Sequence, residues 1–175
     1  MMQYTDRHFR YRARCVSQHT RRYTEMGVAT AVLRGDQERF LAHHAMEAPV
    51  VLQLGGSVPS ELAAAAQIGE EAGYCEINLN VGCPSDRVQS GRFGACLIAE
   101  PMIVADCVAA MRATVKTRLG VDDLDSYEHL CRLVSAVAQA GCEILNLHAR
   151  KALLNFSPRE NREIPPLDYP RAARG

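Results

Sequence analysis

Four residues with reactive or hydrogen-bonding side chains stand at or just after the ends of short apolar runs: Gln53, Cys83, Lys116 and His148. A thiol acts as a nucleophile or a proton donor, an ammonium group binds anions, and amide and imidazole groups donate and accept hydrogen bonds. Each of these groups alone has an ordinary structural explanation. Because they recur at successive run ends, we interpret them as one site that holds a polar organic molecule and reacts with it.

Cys83 has a sequence context unlike that of five other cysteines. The segment Asn80–Ser85 follows an apolar run directly, and Gly82 and Pro84 predict a tight exit that presents the thiol at the end of a strand. The five others lie in apolar or helical contexts, where cysteine behaves as a small buried hydrophobe: Cys75, Cys96, Cys107, Cys131 and Cys142. Cys83 is therefore the candidate nucleophile or acid.

Lys116 is one of only two lysines in a chain that otherwise uses arginine. It lies in the apolar context Thr114–Thr117, where burial of an ammonium group requires an anionic partner. A reduced flavin, which is anionic around its pyrimidine ring, would supply that partner. The Gln53 amide matches the alternating donor and acceptor edge of a flavin or a pyrimidine.

The elements that must position these residues alternate between strand and helix. Each β-prone run is followed by an Ala- and Glu-rich or otherwise helical stretch, and this βαβα order predicts a parallel sheet. The predicted strands are Arg22–Val28, Pro49–Leu54, Cys75–Asn80, Thr114–Arg118 and Ile144–His148, and the clearer helices are Asp36–His43, Pro59–Ala72, Pro101–Ala113 and Ser126–Ala140. A barrel gathers the carboxyl ends of all its strands at one rim, so four consecutive polar strand ends favour a (β/α)8 barrel over a doubly wound sheet.

Length and composition narrow the class of protein. A barrel of this kind takes about 250 residues, whereas this chain has 175, which predicts a partial barrel. With 47% apolar residues and 20 basic against 20 acidic side chains, the chain is typical of globular proteins, and no apolar run is long enough for a membrane span. Seven cysteines without a C-x-x-C pair argue against a disulfide scaffold and a zinc module, and they favour a reducing, cytoplasmic location. We therefore expect neither a membrane nor a metal as partner.

The N-terminal region is locally basic although the net charge is zero. Between Arg7 and Arg22 the sequence contains six arginines and two histidines, with only Asp6 nearby to offset them. Such a run usually forms the solvated face of a surface helix. Contact with a nucleic acid remains open at this point.

At these residues the sequence resembles the tRNA-dihydrouridine synthases, and within them the bacterial A-type subfamily. The similarity covers nearly the whole chain and is most specific from Asn78 through Gly94. It also includes the segments Met1–His8, Tyr23–Met26, Gln53–Gly56, Val115–Arg118, His148–Lys151 and Asn161–Leu167.

The resemblance implies an FMN-dependent barrel that reduces the C5=C6 bond of a uridine in the D-loop of tRNA, at positions 20 and 20a, with NADPH or NADH as reductant. Residue by residue, it implies that Cys83 protonates C5 while C6 receives a hydride. Gln53, Lys116 and His148 would hold the flavin, with Met1 and Met2 beside it. Asn80 would touch the uridine, and Arg150 and Arg162 would contact the tRNA.

Against the family pattern we expect an incomplete FMN-binding barrel domain over residues 1–175. It would have about five strands and lack most of strand 1, strands 6–8 and the C-terminal helical domain. The helix Pro101–Ala113 meets the next strand without turn residues, and the resemblance implies that about half a dozen residues are absent there. We therefore expect this chain to be inactive or impaired, and its open sheet edges to favour self-association.

Two alternatives remain open from the sequence. One is another FMN barrel reductase that acts on a free pyrimidine, as a dihydroorotate dehydrogenase does; the basic residues Arg150 and Lys151 disfavour it. The other is a non-catalytic remnant that binds RNA.

Overall fold

The computed structural model of the chain describes residues 4–174. Met1 and Met2, which the resemblance implies lie beside a flavin, are outside the described residues. Within residues 4–174, no helix is long and apolar enough to cross a membrane.

The centre of the molecule is a six-stranded parallel sheet, as predicted from the alternation of strand and helix. The sheet order is β1-β3-β4-β5-β6, and β2 also pairs with β3. The strands are β1 (Arg22–Tyr23), β2 (Gly27–Val28), β3 (Val50–Gly55), β4 (Glu76–Val81), β5 (Thr114–Arg118) and β6 (Leu145–His148). The predicted strand Arg22–Val28 is thus two short strands, both parallel to β3.

Helices connect the strands and cover one face of the sheet. They are α1 (Arg7–Val16), α2 (Ala29–Arg34), α3 (Gln37–Leu41), α4 (Pro59–Glu71), α5 (Asp86–Ser90), α6 (Pro101–Met111), α7 (Tyr127–Gln139), α8 (Glu160–Glu163) and α9 (Tyr169–Ala172), with 3-10 turns at Ala45–Glu47 and Gly94–Ala99. Residues typical of helix ends lie at the ends of α4 and α7: Pro59 opens α4, the Ser126 side chain caps α7, and Gly73 and Gly141 adopt positive φ just after α4 and α7.

The register of the strands separates a polar face from an apolar one. It places Gln53 beside Asn78, Asn80 beside Lys116, and Arg118 beside His148, so these side chains share one face. The alternate residues form the opposite face and pack into the core under the helices: Leu52, Leu54, Ile77, Leu79, Val81 and Val115. The site therefore lies on the face that the helices leave open.

The sheet is curled as in a (β/α)8 barrel. β1 and β6 are its two edges, yet the Asn146 amide on β6 donates a hydrogen bond to the Tyr23 hydroxyl on β1, at 3.2 Å. The two strands are four steps apart in the sheet, and four steps are half the circumference of an eight-stranded barrel. A sheet curled into half a barrel brings side chains of its two edge strands together across the interior, as Tyr23 and Asn146 show. The partial-barrel prediction is confirmed.

The join between α6 and β5 uses an arginine where glycine is usual. Helix α6 ends at Met111, and Arg112 adopts the left-handed conformation with φ 52° and ψ 44°. Its N–H donates to the Val108 carbonyl at 2.8 Å, and β5 begins two residues later. A single left-handed residue thus makes the turn for which the sequence showed no typical turn residues.

The basic N-terminal region is only partly a solvated face. Arg10, Arg14 and Arg22 are buried, with 4%, 7% and 6% of their surface exposed. The Arg10 Nε lies 2.6 Å from the buried Glu47 carboxylate, and Arg14 donates to the Glu47 carbonyl at 3.0 Å. Burial lowers the pKa of Arg22. The prediction of a solvated charge run is wrong for these three residues, because α1 packs on the 3-10 turn that carries Glu47 and because Arg22, on β1, donates to the Ala13 carbonyl at 2.6 Å.

Candidate functional site

The carboxyl ends of β3 and β4 are joined through the side chain of Asn80. Its amide nitrogen donates to the Gln53 Oε1 at 2.9 Å, and its Oδ1 accepts from the backbone N–H groups of Gly82 and Cys83, each at 3.0 Å. Three of the predicted site residues, Gln53, Asn80 and Cys83, are therefore in one hydrogen-bonded chain. The Asn80 side chain is largely used in fixing the turn that presents Cys83.

The turn after β4 is held from its other side by the 3-10 segment Gly94–Ala99. The N–H of Ala95 donates to the Cys83 carbonyl at 2.9 Å. Gly94 has φ 71°, and a Cβ there would lie 2.6 Å from the same carbonyl, so the close approach requires glycine. The Cys83 thiol is half-buried and lies 3.5 Å from the Ser85 hydroxyl. The thiol is therefore held in place, partly exposed and partly packed against the hydrophobic core.

Lys116 is a half-buried cation without a counterion. It lies opposite Asn80 in the β4–β5 register, and its ammonium group makes no hydrogen bond or ion pair within residues 4–174. Burial lowers the pKa of Lys116, and the charge of Arg118 acts in the same direction. An anionic or carbonyl-bearing ligand would relieve this cost.

Arg118 is a site residue that the sequence analysis missed. Its guanidinium group is buried and donates to three backbone carbonyls: those of Gly82 at 3.0 Å, Lys151 at 3.0 Å and Asn161 at 3.2 Å. Burial lowers the pKa of Arg118 to about 10. Strand periodicity could have predicted this role, because Arg118 follows Lys116 by two residues and so lies on the same face of β5.

His148 ends β6 beside Arg118. Burial lowers the pKa of His148 to about 4, and the charges of Arg118, Lys116 and Arg150 add to this effect. The imidazole is therefore neutral at pH 7, with one donor and one acceptor nitrogen. Neither ring nitrogen has a hydrogen-bond partner in the described part of the chain.

The two arginines predicted to contact RNA lie on the segment after β6. Arg150 is half-buried, and its guanidinium donates to the Pro165 carbonyl. Arg162 is exposed on α8. Both charges act on the pKa of Arg118, which places them near the strand ends. Lys151 is instead paired with Asp125 at 3.0 Å and is not free for a ligand.

The resulting charge distribution favours an anionic ligand. Three cations, Lys116, Arg118 and Arg150, surround the strand ends, and none of them has a carboxylate partner within residues 4–174. The described residues also contain no group of three or more His, Cys, Asp or Glu side chains that could hold a metal ion. The donors therefore suit an aromatic ligand with carbonyl oxygens or negative charge.

Comparison with known proteins gives a consistent result. The family model described as "Dihydrouridine synthase (Dus)" matches residues 1–174. The tRNA-dihydrouridine(20/20a) synthase of Vibrio parahaemolyticus is 58% identical over 98% of this chain and 55% of its own length. Proteins of the same name from Synechocystis and from Escherichia coli O6:H1 are 57% and 56% identical, over 97% and 98% of this chain and 53% and 54% of their own lengths. The chain spans about half the length of the curated relatives it matches.

Proposed function

This chain belongs to the dihydrouridine synthase family, and from that membership we propose that its site reduces uridine to 5,6-dihydrouridine in tRNA. The proposed target is the D-loop, at positions 20 and 20a, because the relatives carry those positions in their names. FMN would be the bound cofactor and NADPH or NADH the reductant. The cytoplasmic location stays a prediction.

The observation that supports this proposal most is the set of free donors at the strand ends. Lys116 and His148 have no hydrogen-bond partner for their side-chain nitrogens within residues 4–174, and the amide nitrogen of Gln53 has none either. These groups fit the carbonyl-rich pyrimidine edge of a flavin, and the unpaired ammonium of Lys116 fits the negative charge of its reduced form. We propose that Gln53, Lys116 and His148 hold FMN.

Cys83 is the proposed acid. The chemistry that FMN supplies when bound is transfer of a hydride to C6 of the uracil ring. The Cys83 thiol donates the proton that C5 requires, which completes the addition of two electrons and two hydrogens across the double bond. The turn held by Asn80 fixes the thiol at the strand ends, and we propose that Asn80 touches the uridine from there.

Arg150 and Arg162 are proposed to bind the RNA backbone. The uridine must leave its stack before it reaches the site, at a cost of a few kcal/mol, and phosphate contacts offset this cost. Of the arginines in the basic N-terminal region, Arg7, Arg12 and Arg21 are exposed, but Arg21 is paired with Glu76, so Arg7 and Arg12 remain available for this purpose. The names of the relatives do not favour the alternative of a reductase for a free pyrimidine.

The proposal is tested in a chimaera in which this chain replaces the matching 55% of the Vibrio parahaemolyticus relative. We expect the chimaera to form dihydrouridine on an unmodified tRNA transcript. Cys83→Ala should slow the reaction at least about 100-fold without loss of FMN, whereas Cys15→Ala, on the exposed face of α1, should leave it unchanged. A chimaera that retains FMN but forms no dihydrouridine would refute the proposal.

The chain alone answers a separate question. We expect the 175-residue chain to be inactive or impaired in the same assay. Stoichiometric FMN retention through gel filtration, together with dihydrouridine formation, would show that this expectation is wrong. Binding of tRNA by the chain without activity in the chimaera would instead favour the RNA-binding remnant.

A further inference from the structure

We propose that Arg118 and Gln89 are positioning residues that fix the Cys83 turn to the strap, which we define as residues 151–161. The strap follows Arg150 directly, so this link would join the proposed acid to the proposed RNA contact. The consequence for catalysis rests on the proposed function. The mechanical link itself does not.

Arg118 reaches the elements on both sides of its own strand. From the end of β5, its Nε donates to the Gly82 carbonyl in the turn after β4. Its Nη1 donates to the carbonyls of Lys151 and Asn161, at the two ends of the strap. One planar guanidinium therefore connects the turn that carries Cys83 with the segment after β6.

Gln89 makes the same connection from a different element. Its Nε2, on α5, donates to the Pro84 carbonyl at 2.9 Å and to the Leu154 carbonyl at 2.8 Å. Arg118 thus binds the carbonyl before Cys83 and Gln89 binds the carbonyl after it. The other side-chain hydrogen bonds of both residues go to the strap. Two independent bridges between the same two segments fix their relative position more closely than either bridge alone.

The strap is itself held as a unit by a buried asparagine. The Asn161 side chain, with 0% of its surface exposed, accepts from the Leu153 N–H and donates to the Leu153 carbonyl, both at 2.8 Å. It also donates to the Phe156 carbonyl at 2.9 Å. A displacement at one end of the strap is therefore transmitted to the other end.

The choice of residue at position 118 supports a role beyond stability. A buried guanidinium that binds only carbonyls leaves its charge without a counterion, and this carries a desolvation cost that an apolar side chain would avoid. The fork geometry of arginine bonds several carbonyls in different directions, and a lysine cannot reproduce it. The residue is suited to holding three chain segments together at that cost.

The test is hydrogen exchange of the free chain in the variants Gln89→Met and Arg118→Lys. We expect the amides of residues 82–95 and of the strap to exchange at least about tenfold faster in both variants, because each loses buried hydrogen bonds. The amides of β3 should be unchanged. Alkylation of Cys83 by iodoacetamide should accelerate relative to that of the buried Cys107.

Matched controls change the same residue types elsewhere. Gln67→Met removes an exposed hydrogen bond to Glu71 on α4, and Arg34→Lys changes a side chain with 79% of its surface exposed. Neither should alter exchange in the two segments. If Arg118→Lys fails to fold, Gln89→Met decides.

Two outcomes overturn the proposal. Faster exchange in only one of the two segments would show that they are not coupled, and an equal rise throughout the chain, β3 included, would show a merely structural role. Because these measurements need neither flavin nor tRNA, they stand apart from the chimaera assay. In an active chimaera, Gln89→Met should lower kcat about tenfold and leave KM for tRNA unchanged.

Discussion

Lys116 shows at the scale of one residue how a binding site differs from a stable core. Its ammonium group is half-buried on the concave face with no partner in the described chain. We expect Lys116→Met to raise the free energy of unfolding of the free chain by about 1 kcal/mol, because an unmatched charge is removed. In the chimaera, the same substitution should abolish FMN binding.

Urea unfolding and quenching of FMN fluorescence measure the two effects. A gain in stability together with a loss of FMN binding identifies a ligand-binding lysine, because replacement of a structural lysine would lower the stability. A less stable Lys116→Met variant would contradict the assignment.

His148 predicts a pH dependence whose sign follows from its environment. Its pKa is lowered to about 4 in the folded chain, whereas an unfolded histidine titrates near about 6.5. As the pH falls between these values, the unfolded chain binds the proton first, so the folded state loses stability. Above about pH 6.5 the residue contributes no slope.

The measurement is the urea midpoint at pH 7 and at pH 4.5, for the wild type and for His148→Gln. The wild type should lose more stability between the two pH values than the variant does. Equal losses in the two proteins would contradict the lowered pKa.

At the scale of elements, Glu47 fixes α1 to the rest of the molecule. Its carboxylate binds the Arg10 guanidinium and the His44 N–H, at 2.6 and 2.8 Å, and 1% of its side chain is exposed. Glu47→Gln should destabilise the chain by about 3 kcal/mol, because it leaves a buried guanidinium without its charge partner.

The control is Glu163→Gln, which breaks the exposed pair with Arg159, whose side chains are 65% and 81% exposed. It should cost less than about 0.5 kcal/mol. Thermal or urea unfolding measures the loss of stability in both variants. Similar losses in Glu47→Gln and Glu163→Gln would contradict the prediction that the buried pair contributes more than the exposed one.

Features that depend on a local sequence pattern could be predicted from the sequence. Gln53, Lys116 and His148 each end an apolar run, so their shared face follows from strand periodicity. The pairing of Arg10 with Glu47 was not predictable, because the two residues are 37 positions apart and no local pattern connects them. The bridge made by Gln89 was hidden for the same reason, since its partner Leu154 lies 65 positions away.

For the molecule as a whole, the edge strand β6 predicts association. Within residues 4–174 no strand pairs with its outer edge, and Ile144, Leu145 and Leu147 are only partly covered. Unpaired edges with apolar side chains favour contact with other chains. We expect the purified chain to self-associate, and Leu147→Lys to reduce this.

Sedimentation velocity over a range of concentrations measures the effect. Val16→Lys places the same charge on a side chain with 89% of its surface exposed at the end of α1, and it should leave association unchanged. A wild-type chain that remains monomeric throughout would contradict the prediction.

The hydrogen bond between the Tyr23 hydroxyl and the Asn146 amide makes the ionisation of Tyr23 a spectroscopic probe of the curvature of the sheet. Burial raises the pKa of Tyr23, and the neighbouring Glu76 adds to the effect. Any flattening of the sheet would separate the two side chains and admit water to the phenol, so its ultraviolet absorbance would respond to alkali at lower pH. The pH at which the Tyr23 phenol ionises therefore reports whether the sheet keeps its curvature.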